Sequence, residues 1–211
     1  MVNESKRLLY VVNDASFLIS HRLPIAIEAK EQGLDVHIAA PKCRELEGLV
    51  VQGFTVHEIG LNRSGSNPLV ELMALFSLFL CMWHVRPSVV HLITIKPVIY
   101  GGIVARLLRV PKVIAAVSGL GTLFITKGLA SKLKRRLVAF VYRLALNSSR
   151  VTVIFQNDSD RSILKGLARL NAPDDVLIKG SGVDLKAYPC LPEPKSQRLR
   201  TTRSSLAVTL Q

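Results

Sequence analysis

Seven short apolar runs alternate with segments of helical length along most of the 211-residue chain. Each run has the length of a strand and is rich in β-branched residues. In chain order the runs read RLLYVV, DVHIAA, FTVHEI, SVVHLI, KVIAAV, RVTVIF and DVLIKG. Strands separated by helices in this way form βαβ units with right-handed crossovers. The pattern therefore predicts an α/β fold with a Rossmann-like, doubly wound and mostly parallel sheet.

Capping residues and stop signals predict where the helices begin and end. Ser20 is placed to cap a helix over residues 21–32, with Pro24 in its first turn and Gly33 as its left-handed stop. Gly53 closes the next helix in the same way. That helix covers residues 44–52. The other predicted helices are a segment that begins at Pro68, residues 98–108 and residues 130–146.

Two of these helices leave alternatives open. The most apolar segment is residues 68–85, but its uninterrupted part, residues 72–83, is shorter than the ~20 residues that span a bilayer. We therefore expect a core helix or a helix lying at a membrane surface. The helix over residues 130–146 is amphipathic and basic, so it either binds a membrane surface or packs on the core with a wet basic face. Its apolar side consists of Leu133, Leu137, Phe140, Val141 and Leu144.

Positive charge is concentrated in the middle of the chain. The formal net charge is +13, and residues 72–157 contain no Asp or Glu. Such a field attracts phosphates, whether of an anionic membrane surface, a nucleic acid or a phosphorylated substrate. A solvated basic face without a specific partner is the alternative. We expect no nucleic-acid partner, because the basic residues are dispersed and lack aromatic stacking partners.

Cysteine usage and local composition bear on compartment and domain organisation. The three cysteines are widely spaced, which predicts reduced thiols in a cytoplasmic protein. Asn13 and Asp14 interrupt a short apolar run near the N-terminus, so we expect no signal peptide. After Tyr188 the sequence becomes a proline-rich linker and then a basic, polar stretch. The expected organisation is a Rossmann-like domain over residues 1–188, then a linker and irregular basic tail over residues 189–211.

Candidate binding residues follow the strands, because ligands of an open parallel sheet bind beyond the carboxyl ends of its strands. The loop after the first strand has no GxGxxG fingerprint, which argues against a dinucleotide-binding dehydrogenase. The ammonium group of Lys96, after the fourth strand, is placed to hold a phosphate, whereas His91 within that strand is expected to be a core histidine. The candidates from these two loops are Asn13, Ser16, His21, Arg22, Thr94 and Lys96.

The later strands contribute two glycine-containing turns and an asparagine. Glycines after the fifth strand allow a tight turn whose backbone N–H groups can cradle sugar or phosphate oxygens. After the sixth strand, Asn157 is expected to reach the crevice, and Asp158 or Ser159 to cap the next helix. A second glycine turn precedes the linker. The candidates are Ser118, Gly119, Gly121 and Asn157 from the fifth and sixth strands, and Gly180, Ser181, Gly182 and Asp184 from the second turn.

Several catalytic patterns are missing from the sequence. It contains no paired carboxylates at glycosidase spacing, no GxSxG, no Cys/His nucleophile arrangement and no HExxH metal motif. The residues alone therefore predict an anion-binding α/β domain with no metal site.

Four motifs occur in a fixed order along residues 7–193. They read FLISHRLPIAIEAKEQGLDVHIAAP, VHLITIKPVIYGGIVARLLRVPKVIAAVSGLGTLF, VTVIFQNDSDRSIL and IKGSGVDL. In this order and spacing they resemble the N-terminal half of a family 4 glycosyltransferase of the GT-B fold. The chain is similar to the bacterial branch of that family that builds the O-antigen of lipopolysaccharide, capsule and exopolysaccharide repeats.

The resemblance implies two Rossmann-like domains that face a cleft. It also implies a retaining, metal-independent transfer of a hexose-type sugar from a nucleotide-sugar donor, with no cofactor. The N-terminal domain would hold the acceptor, a lipid-linked or polysaccharide sugar, at the inner face of the cytoplasmic membrane, and Lys96 would serve that acceptor. An anionic membrane surface would also suit the acid-free basic stretch. The turn with Gly180, Ser181, Gly182 and Asp184 would lie on the donor or interdomain side.

The sequence departs from the family pattern in two places. Ser118 stands where many relatives carry a histidine near the reacting centre, so no catalytic residue is identified and Ser118 is only a weak candidate. The family's second domain, which binds the donor diphosphate, does not follow in this sequence. We therefore expect an acceptor-binding half, truncated by a frameshift or premature stop and inactive alone, because the leaving diphosphate would be neither positioned nor stabilised. The alternatives are a membrane-associated acceptor subunit of a split glycosyltransferase and, third, a basic nucleic-acid-binding module.

Overall fold

The computed structural model describes residues 6–61, 67–117, 129–168 and 174–180. Seven strands form one sheet, and all of the described pairs are parallel. The strands are β1 (Arg7–Val11), β2 (Asp35–Ala40), β3 (Thr55–Glu58), β4 (Val89–Ile93), β5 (Lys112–Val117), β6 (Val151–Phe155) and β7 (Asp174–Leu177). Six lie within the apolar runs and β7 begins one residue before the seventh run, so the predicted Rossmann-like parallel sheet is confirmed.

Seven helices connect these strands within the described residues. They are α1 (Ala15–His21), α2 (Leu23–Glu31), α3 (Glu45–Val51), α4 (Pro68–Val85), α5 (Ile95–Leu107), α6 (Leu129–Leu146) and α7 (Asp158–Ala168). The strand order β3-β2-β1-β4-β5-β6-β7 reverses direction between β1 and β4. A crevice opens outside the carboxyl ends of the strands at such a reversal. The loops after β1 and β4 are therefore adjacent at the expected binding position.

The two faces of the sheet support separate hydrophobic cores. Successive side chains of a strand point to opposite faces, so Leu9 and Val11 of β1 lie in one core while Leu8 and Tyr10 lie in the other. The first core also receives side chains of α4 to α7, and the second receives side chains of α1 to α3. Helices α4 to α7 therefore cover one face of the sheet, and helices α1 to α3 cover the other.

The predicted helix over residues 21–32 is wrong at its start. The chain is already helical from Ala15, because the Asp14 side chain caps α1 by accepting a hydrogen bond from the Ser16 backbone N–H at 3.0 Å. A non-helical Arg22, with φ −133° and ψ −10°, then separates α1 from α2. Ser20 is not a cap, since its hydroxyl donates back to the Ser16 carbonyl oxygen at 2.7 Å. Pro24 does lie in the first turn of α2, as predicted.

The remaining helix boundaries agree closely with the sequence. Gly33 and Gly53 adopt φ values of +83° and +78°, which confirms both predicted left-handed stops. Helix α5 begins at Ile95 rather than at residue 98. Pro97 is tolerated inside its first turn because the N–H groups there have no intrahelical acceptor.

Helix α4 is only partly buried. Only 22% of Pro68–Val85 is buried, with a mean hydropathy of 1.7, and in the part of the chain that the structure describes α4 alone is long and apolar enough to cross a membrane. Ala74, Leu78 and Met82 nevertheless join the core beside α5. The helix is therefore packed on the domain along one side, and its other side carries exposed apolar residues.

Candidate functional site: the crevice between β1 and β4

The loops after β1 and β4 are joined at the strand reversal by one side-chain hydrogen bond. Thr94 Oγ1 donates to Asn13 Oδ1 at 2.7 Å. Thr94 has a φ of +75° and a ψ of 171°, a conformation that a β-branched residue rarely adopts and that costs about 1–3 kcal/mol. Backbone strain of this kind is concentrated at binding and catalytic sites. Asn13 and Thr94 are thus brought together, as the position of both at strand ends predicted.

This pair gives a direct test of the turn. Thr94→Val and Asn13→Ala each remove one partner of the hydrogen bond, and each should lower the free energy of unfolding by about 1 kcal/mol. The double variant should lose little more than the worse single variant, because both changes remove the same interaction. Urea unfolding of the four proteins measures this coupling. Strict additivity of the two losses would contradict the hydrogen bond.

Lys96 lies close to the same crevice, but its charge is balanced within the fold. Its Nζ contacts Glu71 Oε1 of α4 at 2.7 Å, and the Tyr100 hydroxyl donates to Glu71 Oε2 at 2.7 Å. Burial would raise the pKa of Glu71, but the hydrogen bonds from Lys96 and Tyr100 hold that pKa below its usual value. Burial and the Glu71 carboxylate raise the pKa of Tyr100 to about 12. The predicted phosphate-holding lysine is therefore an ion-paired one, and an incoming anion must compete with Glu71.

Arg22 is buried, which corrects the prediction of an accessible loop arginine. Its exposure is 6%, and that of His91 is 7%. Tyr10 and His91 are paired in register, and their ring centroids are 5.2 Å apart. Among the described residues, neither Nε of Arg22 nor Nε2 of His91 has a hydrogen-bond partner. Arg22 occupies the break between α1 and α2, and its charge acts on both Tyr10 and His91.

Burial is the main cause of the pKa shifts of His91 and Tyr10. It lowers the pKa of His91 to about 4, and the positive charge of Arg22 contributes to the shift. It also raises the pKa of Tyr10 to about 12, although Arg22 opposes that change. His91 is therefore neutral at physiological pH. It is a core histidine, as predicted, rather than a base exposed to the crevice.

Three further candidates have local structural roles instead of crevice contacts. Ser16 donates from its hydroxyl to Asp14 Oδ1 and so belongs to the α1 cap. His21 is exposed, with its ring stacked on Phe17 at 4.3 Å and its Nδ1 2.6 Å from the Ser20 hydroxyl. Asn157 caps α7, since its Oδ1 accepts from the Asp160 N–H at 2.7 Å and its Nδ2 donates to Asp160 Oδ2 at 2.8 Å. Asn157, rather than Asp158 or Ser159, is therefore the cap.

The glycine turns are only partly described. Gly180 has a φ of +75°, as a glycine turn after β7 requires. Six other candidates lie outside the described residues: Ser118, Gly119, Gly121, Ser181, Gly182 and Asp184. Within the described ranges, no three Cys, His, Asp or Glu side chains come together as a metal site.

Glu71 is the site residue that sequence reasoning missed. Glu71 and Lys96 are 25 positions apart, so no local spacing rule connects them. The signal available in the sequence was the position of Glu71 as the last acid before the long acid-free stretch.

A known family and a curated relative match the part of the chain that contains this crevice. Residues 7–157 match the family model described as "Glycosyl transferase 4-like". The chain is 24% identical over 182 residues to an N,N'-diacetylbacillosaminyl-diphospho-undecaprenol alpha-1,3-N-acetylgalactosaminyltransferase of Campylobacter jejuni subsp. jejuni serotype O:2. That alignment covers 86% of this chain and 48% of the relative, so the chain spans about half the length of the curated relative.

Solved structures of low sequence identity share the fold. MurG of Acinetobacter baumannii is similar with a TM-score of 0.53 and 18% identity, over 87% of this chain and 48% of that one. A glycosyltransferase of Rickettsia africae ESF-5 is similar with a TM-score of 0.59 and 13% identity, over 83% of this chain and 43% of that one. At these identities the comparison shows only the fold: this chain has the architecture of about half of each of the two proteins.

Proposed function

The chain belongs to the glycosyl transferase 4-like family, and from this we propose that it is the acceptor-binding domain of a retaining glycosyltransferase. The reaction transfers a hexose-type sugar from a nucleotide-sugar donor to a lipid-linked acceptor of surface-polysaccharide synthesis. The observation that carries the proposal is the family match over residues 7–157, which contains the whole crevice between β1 and β4. The name of the Campylobacter relative, which acts on a diphospho-undecaprenol-linked sugar, supports the class of acceptor.

The acceptor contacts are proposed to come from the strand-end loops. Asn13 and Thr94 hold the two loops together, and Lys96 exchanges part of its contact with Glu71 for the acceptor diphosphate. Lys96 can exchange Glu71 for a diphosphate because an ammonium group makes the same kind of charge-assisted hydrogen bond to a phosphate as to a carboxylate. The nucleotide-sugar acts as a substrate, and the transfer requires neither a metal nor a further cofactor.

Sugar transfer is proposed to need a second, donor-binding domain. The chain spans 48% of its Campylobacter relative, and a crevice at one sheet edge holds one of two reactants. Without a second domain the leaving diphosphate is not positioned or stabilised, and the barrier stays high.

Exposed apolar side chains on α6 support a position at the inner face of the cytoplasmic membrane. Leu137 and Phe140 are 62% and 63% exposed, and Leu144 is exposed on the same stripe. Tyr142, Ala145 and Leu146 supply the core contacts of α6 instead. Three residues of the stripe expected to face either the core or a membrane, Leu137, Phe140 and Leu144, are thus exposed to solvent, and the exposed Arg136 and Arg143 lie on the same helix. This arrangement suits an anionic lipid surface.

The membrane contact can be tested on vesicles. Replacing Leu137 and Phe140 together by serine should weaken binding to anionic vesicles at least tenfold, because each buried apolar side chain contributes about 1.5–3 kcal/mol. The matched control is Ile163→Ser on helix α7, whose formal charge is balanced and where an exposed apolar residue is also lost. Sedimentation with vesicles measures both, and raised salt should weaken wild-type binding. Equal effects of the two changes would count against α6 as the contact.

The transfer claim is tested with the purified chain. Incubated with UDP-N-acetylhexosamines and an undecaprenyl-diphosphate-linked sugar, it should form no product. A fusion of residues 1–180 to the second half of the Campylobacter relative should restore transfer. Turnover by the 211-residue chain alone would overturn the proposed need for a second domain.

A further inference from the structure

An open apolar groove runs between helix α4 and the edge strand β3. Its volume is about 960 Å³, at the upper end of the range of ligand pockets. The floor and walls are mostly hydrocarbon. They are formed by Val56 of β3 and by Leu72, Met73, Phe76 and Leu80 of α4. Nothing in the proposed acceptor contacts at the β1 and β4 loops uses this groove.

The groove begins at the crevice end of the domain. Leu72 follows Glu71, whose carboxylate contacts Lys96 in the first turn of α5. Helix α4 then runs away from the crevice, and the lining continues to His84. Twelve residues of α-helix separate Leu72 from His84, which corresponds to about 18 Å. The groove is therefore elongated and leads from the crevice end of the domain towards the amino ends of the strands.

Three of the polar side chains along the groove, Cys81, His57 and Glu58, have a shifted pKa or a charged partner. Burial raises the pKa of the Cys81 thiol to about 11. Burial and the neighbouring imidazoles of His37 and His84 lower the pKa of His57. Glu58 is 3.8 Å from Lys42. A hydrocarbon chain placed here would thus not have to desolvate an isolated charge, which is the costly case.

We propose that this groove binds the hydrocarbon chain of the lipid-linked acceptor, with the diphosphate at the crevice end beside Lys96. The inference rests on the proposed function and adds a site for the lipid portion of the substrate. Continuity favours a lipid chain over another occupant, because the apolar surface of α4 extends beyond the groove through Leu69 and Trp83. A chain can therefore pass from a bilayer into the groove without crossing water. A partner strand is less suited, since β3 offers only the four residues Thr55–Glu58.

Two matched double variants test the groove with soluble probes. Phe76→Gln with Leu80→Gln places two amides in the groove, whereas Ile25→Gln with Ile163→Gln makes the same kind of change at exposed positions of α2 and α7 that do not line it. The probes are farnesyl diphosphate and inorganic diphosphate, and binding to the full chain is followed by calorimetry. Wild type should bind farnesyl diphosphate at least tenfold more tightly than inorganic diphosphate, because of the apolar area buried.

The groove variant should lose that gain, at least tenfold, while the control variant stays within about twofold of wild type. Inorganic diphosphate should bind all three proteins alike. Equal binding of the two probes to wild type, or equal losses in both variants, would overturn the groove as the chain site while leaving the acceptor function standing. Failure of wild type to bind either probe would overturn both proposals. A dimer in sedimentation that dissociates only in the groove variant would assign the groove to a second copy of the chain and overturn the inference.

Discussion

Gly102→Ala is expected to lower the free energy of unfolding by about 3 kcal/mol, since forcing extra atoms into a packed core typically costs about 1–3 kcal/mol and the obstacle here is backbone. Gly102 lies in α5 where α6 crosses it. A Cβ at this position would lie 2.8 Å from the Ala145 carbonyl oxygen and 2.9 Å from the Ala145 Cβ. A carbonyl inside a helix cannot move aside like a side chain, so α5 and α6 must separate and the core between them must loosen.

Gly48→Ala is the matched control for this prediction. Gly48 also lies within a helix, α3, but an added Cβ there would meet no atom within 4 Å. Alanine should therefore stabilise the protein by about 0.4–1 kcal/mol. Urea unfolding of both variants gives the comparison. A Gly102→Ala protein as stable as Gly48→Ala would show that the two helices do not approach as closely as described.

The second large effect is a loss of stability in mild acid caused by His91. Burial and Arg22 lower the pKa of His91 from 6.5 to about 4 in the folded state. Between these values the unfolded chain binds a proton that the folded chain does not, so stability rises with pH across the window. The contribution is complete above pH 6.5 and is lost as the pH falls towards 4. A shift of this size corresponds to a loss on the order of 3 kcal/mol.

His91→Gln separates this effect from general acid sensitivity. Glutamine keeps a polar side chain in the same buried position but does not titrate. The variant should be less stable than wild type near pH 8, where an imperfectly paired amide is buried, yet its stability should fall less steeply between pH 6.5 and 4. The measurement is the free energy of unfolding at a series of pH values. Parallel curves for the two proteins would mean that another group controls the acid response.

The strands were predictable because their signal is local. In a parallel sheet covered on both faces, strands are continuous runs of apolar, largely β-branched residues, and each of the seven runs overlaps one strand. The start of α1 was harder to predict, because Asp14 and Ser20 are both residue types that cap the N-terminus of a helix. Only the Asp14 side chain reaches a free backbone N–H.

The site was less predictable because its contacts are made between distant segments. Glu71 meets Lys96 only after α4 has packed against α5. The break at Arg22 turns a residue expected at the surface into a buried one. Position after a strand predicted the neighbourhood of Asn13 and Thr94 correctly, but it could not predict which charges would neutralise one another.

Whether the apolar stripe of α6 is buried or exposed could not be predicted from periodicity. An amphipathic stripe has the same spacing whether it faces a core or a bilayer. What distinguishes the cases is which residues the neighbouring elements leave uncovered. In α6 the core is contacted by Tyr142, Ala145 and Leu146, so Leu137 and Phe140 remain exposed.

Selective binding of the acceptor tests the central claim most directly. The full chain would be titrated with anionic nanodiscs that contain an undecaprenyl-diphosphate-linked N-acetylhexosamine, with identical nanodiscs that lack it, and with UDP-N-acetylhexosamine in solution. An acceptor-binding domain should bind the loaded nanodiscs at least tenfold more tightly than the unloaded ones and should show no saturable binding of the nucleotide-sugar. Saturable binding of the nucleotide-sugar, with no preference for loaded nanodiscs, would contradict the assignment.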